Sequence, residues 1–411
     1  MAGKKFKLYG YRWVVLGVFM FINLTIQMLW IAYAPITGPA ARLYGVSDLQ
    51  VGLLAMTFMI AFLPLALPVS WAIDTYGFRK AVSVGAIIMG LFGVARGWTG
   101  TNYPLVLIST IGLAISQPFL LIAWTKVPAQ WFAIEERATA VGLVTLANLV
   151  GTALGLVLTP ILIQRISIPK VQLIYGSLAA FSAVLFVVFA REHPPTPPCP
   201  PGLEVRTLML DGLKHALQVK DFLLYLVVSF IGLGLFNGVN TWIENIIRPR
   251  GFSPTDAGTL GAAMLVGGLF GAVIIPPFSD KQHQRKKFLL LGIVFSIPGL
   301  IGLTFATSFW LLLVSAFALG FFLISTCPIG MQYAAEIAYP TPEGTSNGLI
   351  QLFGQASVAF VYIMEAFKSR DGSFTPSLLL AVGLLIVSAV IITQLHDPQM
   401  DQSTSGASDG R

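Results

Sequence analysis

Apolar residues in this chain fall in long runs separated by short polar stretches. The runs occupy 12–36, 49–73, 80–98, 104–129, 137–163 and 171–191, then, after a polar break, 221–246, 257–278, 287–306, 309–334, 345–367 and 375–395. Each approaches or exceeds the roughly 20 residues that carry a helix across a bilayer. Six runs, a break and six runs predict an all-α membrane protein with twelve transmembrane helices in two six-helix bundles. The predicted divisions are a first half over 1–191, a linker over 192–220, a second half over 221–396 and a disordered polar tail over 397–411.

Between the second and third runs the chain reads Ser70-Trp71-Ala72-Ile73-Asp74-Thr75-Tyr76-Gly77-Phe78-Arg79-Lys80. A helix ending near Ile73, a tight turn at Gly77 and a basic flank at Arg79 and Lys80 are expected. A degraded copy, Pro276-Pro277-Phe278-Ser279-Asp280-Lys281 and then Arg285-Lys286-Lys287, stands at the same place in the second half. Such a recurrence predicts an internal duplication. The first stretch resembles the signature that the major facilitator superfamily carries between helices 2 and 3. Asp74, Gly77 and Arg79-Lys80 match it, while Ser70, Thr75 and Phe78 depart from it. The resemblance implies that fold and makes Asp74, Gly77, Arg79, Lys80 and Asp280 candidate gating residues. Asp74 is expected to meet the start of helix 11 around Glu343–Ser346, where a helix N-terminus favours a carboxylate. The Asp280 loop is expected to make a weaker contact with helix 5 near Arg137–Thr139.

Composition agrees with the membrane reading. The chain is 55% hydrophobic and 10% charged, too apolar for a soluble protein of 411 residues. Its net charge of +7 is spread over the loops without a continuous basic surface, which argues against a nucleic-acid partner. Seventeen lysines and arginines fall on one side of the predicted topology and eight on the other, which places both termini in the cytoplasm and the protein in the cell (inner) membrane. The basic N-terminus leads into the first run without a small-residue cleavage site and reads as a retained helix. Six prolines between Pro194 and Pro201 make the linker extended, and Leu210, Leu213 and Leu217 mark a short helix along the cytoplasmic surface or a solvated one. Cys199 and Cys327 imply no disulfide framework. There is neither a phosphate-cradling loop nor a zinc-like cluster in the sequence, so neither a cofactor nor a metal nor an enzymatic activity is expected.

Polar side chains inside the runs are the candidate chemistry. By counting from the ends, Gln27 and Trp30 of helix 1, Gln117 of helix 4, Asn237 and Asn240 of helix 7 and Gln355 of helix 11 lie near mid-depth. Asn23, Trp124, Cys327 and Gln351 are second choices. Carrier sites lie near the midplane where repeats meet, so the six are expected to line one central cavity. None of the runs has a titratable residue near its middle, and no buried arginine or lysine is expected to pair an anion. Glu244 and Glu365, near the outer ends of helices 7 and 11, are read as groups that attract a cation or as solvated interfacial charges.

A narrower resemblance rests on four patches: Trp30-Ile31-Ala32-Tyr33 with Tyr44-Gly45-Val46, Leu67–Gly77, Gln117-Pro118-Phe119 with Trp131-Phe132, and Glu343–Leu349 with Gln355. They are similar to the feline leukaemia virus subgroup C receptor-related carriers, a family linked to heme, choline and ethanolamine movement. The resemblance implies that Trp30 is the tryptophan of an aromatic cage and Gln355 its supporting amide. Asn237 stands where the family shows tyrosine and Leu149 where it shows glutamine, which removes one cage wall and one amide. The function expected is secondary active or facilitative transport of a small organic cation, zwitterion or neutral metabolite by a monomer among membrane lipids. A proton-coupled exporter or organic-acid permease is the runner-up, and a non-transporting sensor or scaffold comes after it.

Overall fold

The structure, a computed structural model, describes residues 8–124, 126–196, 214–282, 284–339, 341 and 343–396, with the backbone alone at 134, 135, 138, 280, 343–345 and 347. Its described residues form helices and loops, with no strand among them. The first half contains α1 (Arg12–Ile31), α2 (Thr37–Tyr44), α3 (Asp48–Tyr76), α4 (Phe78–Trp98), α5 (Tyr103–Ile122), α6 (Lys126–Trp131), α7 (Ile134–Leu162) and α8 (Ile168–Phe189). The second half contains α9 (Lys220–Ile247), α10 (Pro254–Gln282), α11 (Arg285–Phe305), α12 (Phe309–Ile337), α13 (Glu343–Ala356), α14 (Val358–Ala366) and α15 (Thr375–Gln394). Twelve segments among the described residues are long and apolar enough to span a membrane. In hydrocarbon a helix satisfies its own backbone, which is why runs of this length take that form.

Local chemistry sets the ends. Ser47 caps α3: its Oγ accepts from Gln50 N at 3.2 Å, and its own N–H donates to Gln50 Oε1 at 2.9 Å. The helix expected to stop near Ile73 continues to Tyr76 and ends at Gly77, whose φ of 88° suits a residue without Cβ. Three predicted spans are interrupted. The first breaks after Ile31 into a single 3₁₀ turn at Ala34–Ile36 and then α2; the fourth breaks between α5 and α6; the eleventh breaks at Ser357. Pro64, Pro68, Pro118, Pro160, Pro298 and Pro328 lie inside α-helices, while Pro35 sits in the 3₁₀ turn.

Small residues bring helices into backbone contact. Gly90, Gly93 and Gly97 of α4 lie against Ala180, Gly176 and Leu173 of α8, so these two helices run antiparallel. In the second half Gly267 and Gly271 of α10, one turn apart, lie against Phe317 and Phe321 of α12. Two apolar cores are built from the first half alone. A third is built from the second half but also takes in Ile31, Ala34, Met56, Met59 and Leu156 of the first. The halves are therefore packed together at the end of the bundle away from Arg12 and Asp221, here called the far end. The disordered tail expected over 397–411 lies outside the described residues, as do 197–213 of the linker with Leu210 and Leu213. Leu217 is described and is exposed.

Candidate functional site

The six central candidates come from α1, α5, α9 and α13. Trp30 is half-buried one residue before α1 ends. Its Nε1 donates to Ala55 O of α3 at 3.2 Å, and its ring packs against the larger first-half core and the second-half core, which puts it at the seam between the halves. Gln27, one turn earlier on the same face, is half-buried with Oε1 sealed from solvent and without a partner. Gln117 is buried beside Pro118 inside α5. Asn237 donates from Nδ2 to Ser357 Oγ at 3.4 Å, which ties α9 to the break between α13 and α14. Gln355 is half-buried two residues before that break. Asn240 is fully buried: Nδ2 donates to Phe236 O at 2.9 Å, and Oδ1 has no partner. The structure thus brings Asn237 and the Gln355 segment together, and Trp30 to the seam. Among the described hydrogen bonds none joins the first-half candidates directly to the second-half ones.

The unpartnered atoms share a chemistry. Asn23, Asn148 and Asn240 each donate Nδ2 to the carbonyl four residues back, so the free atom is the acceptor Oδ1. With Gln27 Oε1, the buried side-chain amide atoms left unmet on α1, α7 and α9 are oxygens. A buried acceptor without a donor is costly, and a ligand or water that supplies N–H or O–H relieves it. Of the second choices, Trp124 is held by Val141 O at 3.3 Å, Cys327 is a half-buried free thiol and Gln351 is exposed.

At the end near the termini, each half closes on itself. Asp74 in the last turn of α3 pairs with Lys126 Nζ at 2.6 Å, in the first turn of α6. The bond expected from Asp74 to the second half is thus made within the first half in this conformation; the side chains of 343–345 lie outside the described residues. The turn at Gly77 serves Glu192: its carboxylate accepts from Phe78 N at 2.9 Å and Arg79 N at 2.7 Å, an anion on the N-terminus of α4. The Arg79 and Lys80 side chains are exposed. The second copy uses the opposite polarity: Arg285 of α11 pairs with Glu336 of α12 at 3.2 Å and donates to Ser279 at 3.4 Å. The side chain of Asp280 lies outside the described residues.

At the far end the halves are bonded to each other. Asp48 accepts from Asn245 Nδ2 at 2.9 Å and is paired with Arg248. Glu244 accepts from Gly38 N at 3.2 Å and from Arg248 Nη1 at 3.3 Å. Gln164 Nε2 donates to Thr255 Oγ1 at 2.9 Å. The Trp242 ring lies over Gly52 of α3, with Nε1 on Val361 O at 3.0 Å. Glu244 is 2% exposed, so the solvated-charge reading fails for it: the carboxylate meets the Gly38 N–H of the opposing half and the guanidinium of Arg248, four residues on. Glu365 pairs with Lys368. Near the same end of the bundle Arg96 is a buried basic group, 1% exposed, two residues before the end of α4. Sequence reasoning did not identify Asp48, Asn245 or Arg248. The available signal was a lone acid opening α3 opposite Glu244-Asn245 and Arg248 at the same membrane face.

A model described as Major Facilitator Superfamily matches residues 15–253 and 245–409. A choline/ethanolamine transporter of Danio rerio, flvcr2b, is 27% identical over 413 residues, covering 93% of this chain and 84% of its own. A choline/ethanolamine transporter of Homo sapiens, FLVCR2, is 23% identical over 92% of this chain and 77% of its own. Among solved structures, a bacterial homolog of the human lysosomal transporter Spinster aligns with a TM-score of 0.76 at 16% identity, over 95% of this chain and 98% of that one.

Proposed function

This chain belongs to the Major Facilitator Superfamily, and we propose that it carries a small organic amine, ethanolamine-like before choline-like, through a site between its halves. It is a multi-pass integral membrane transporter for a small organic substrate. The observation that carries the choice of substrate is Trp30 at the seam together with the unpartnered oxygens of Gln27 and Asn240. An ammonium head attracts the ring face, and its N–H groups meet amide acceptors. A quaternary ammonium has no N–H to give them, and the position that would supply a further ring is Asn237. The full-length relatives described as choline/ethanolamine transporters support the amine class.

The path is the one between the two halves. With both termini in the cytoplasm, the far end is the outer face, and the conformation described is closed there by Asp48, Glu244 and Arg248. Closing the other end requires Asp74 to exchange Lys126 for the start of α13, which is the gating role proposed for Asp74, Gly77, Arg79 and Lys80. The Asp280 loop has the parallel role toward α7. Gln117 and Gln355 complete the proposed lining.

The test is uptake of labelled ethanolamine and choline into liposomes holding the purified protein. A cation over a desolvated tryptophan contributes about 2 kcal/mol, roughly a thirtyfold change in affinity. Trp30→Ala is expected to raise the apparent KM for ethanolamine about thirtyfold, and Trp30→Phe to raise it less. Equal KM in wild type and Trp30→Ala overturns the assignment of Trp30. Transport of organic acids but not amines overturns the substrate class.

A further inference from the structure

Arg96 lies inside the first half with almost none of its hydrogen-bonding capacity used. Nη2 donates to Leu29 O at 3.0 Å and the guanidinium sits 5.4 Å over the Tyr33 ring, but Nε and Nη1 are buried without partners. The carboxylates in the described ion pairs are engaged elsewhere: Glu136 with Arg12, Asp74 with Lys126, Asp48 and Glu244 with Arg248, Glu336 with Arg285, Glu365 with Lys368. A guanidinium does not shed its charge, and a buried charge without a counter-charge is among the costliest arrangements a fold can hold.

A second buried group stands beside it. Gln172 of α8 is fully buried with both Oε1 and Nε2 unpartnered. Gly97 touches Leu173 across the antiparallel α4–α8 seam, so Arg96 and Gln172 are each one residue before a contact point. On antiparallel right-handed helices those two positions turn to the same side. That side holds α1, because Arg96 reaches Leu29 and Tyr33 there. Thr25 of α1 bonds Ser182 of α8 at 3.0 Å. Ten residues along each helix from that bond, about 15 Å, α8 reaches Gln172 and α1 reaches the turn just past Tyr33. Three helices thus bring a guanidinium, a carboxamide and the Tyr33 hydroxyl to one level. That hydroxyl is 2.9 Å from Tyr44 Oη.

We propose that Arg96, Gln172 and Tyr33 form a binding site for a small monovalent anion, chloride in a cellular setting. The groups on offer are mainly donors around one positive charge: two guanidinium nitrogens with three N–H bonds, an amide NH₂ and a phenol. Water would satisfy the donors but leave the charge. Arg96 is two residues from the end of α4 and Gln172 is in the second turn of α8, so the anion reaches the site from the membrane surface without crossing hydrocarbon. The site is separate from the amine site and does not depend on it.

The test is thermal unfolding of the purified full chain without substrate, titrated with sodium chloride or sodium bromide against sodium gluconate at constant ionic strength. Binding to the folded state alone raises Tm saturably, and a rise of several degrees with either halide is expected for wild type. Arg96→Met is expected to remove the response. Gln172→Glu supplies a carboxylate from the neighbouring helix, and is expected to match the halide-loaded wild type in Tm while losing the response. An anomalous-scattering peak beside the Arg96 guanidinium in bromide-grown crystals supports the site even if a variant fails to fold. A halide-independent Tm in wild type, a response of equal size in Gln172→Glu, or a bromide peak only elsewhere overturns the proposal.

Discussion

Replacing Arg248 by alanine tests how the far end is held shut. Arg248 binds Asp48, which opens α3, and Glu244, which in turn holds Gly38 N; Asp48 and Gly38 belong to the other half. A hydrogen bond to a charged group contributes about 1.5–3 kcal/mol. Arg248 and Asp48 are 37% and 20% exposed, so solvent screening reduces their pair toward the lower end. Glu244 is 2% exposed and loses its only charged partner among the described contacts, which raises the cost again. We take about 2 kcal/mol for the pair of bonds, which shifts the balance between closed and open far ends about thirtyfold. The assay is the rate at which a membrane-impermeant maleimide labels Thr37→Cys, added from the face opposite the termini. The background lacks Cys199 and Cys327. Arg248→Ala is expected to accelerate labelling ten- to thirtyfold. An Asp48→Asn, Arg248→Gln double-mutant cycle is expected to show coupling of at least ~1 kcal/mol. Unchanged labelling together with coupling under ~0.3 kcal/mol would refute the latch, and the closed far end would then rest on its other contacts, among them Trp242 over Gly52 and Gln164 with Thr255.

Asp74→Asn is expected to leave thermal stability within about 1 kcal/mol of wild type, because the pair with Lys126 is 60% and 35% exposed; uptake is expected to fall severalfold, and unchanged uptake kinetics would remove Asp74 from the gate. Glu192→Ala is expected to cost about 1 kcal/mol through the freed N–H groups of Phe78 and Arg79. Gly77→Ala is expected to cost more, since φ is 88° there and a Cβ would lie 2.5 Å from Glu192 Oε1. Melting curves of the two variants side by side check the order, and a Gly77→Ala protein as stable as wild type would contradict it.

The apolar runs alone determine that this chain spans a membrane twelve times, because the length needed to cross hydrocarbon is a local property that a sequence states directly. Gly267 and Gly271, one turn apart in α10, are legible in the same way as a surface where another helix can come close, because a missing side chain is visible without knowing the neighbour. Residue type also marked Gln27, Trp30, Asn237, Asn240 and Gln355 as the polar and aromatic groups at depth. What the sequence does not contain is which groups meet. Whether Glu244 is solvated or sealed depends on Gly38, 206 residues away. That Asp74 meets Lys126, 52 residues on in another helix, is likewise absent from its own stretch of sequence. The partner of Ser357 at the helix break is Asn237, 120 residues away. The same holds for Arg96. Placed in the last turn of a helix it reads as one more interfacial charge, and only the glycine contacts that pull α8 onto α4 remove it from water. Burial of a polar group is a property of three or more helices at once, and no local pattern in any one of them encodes it.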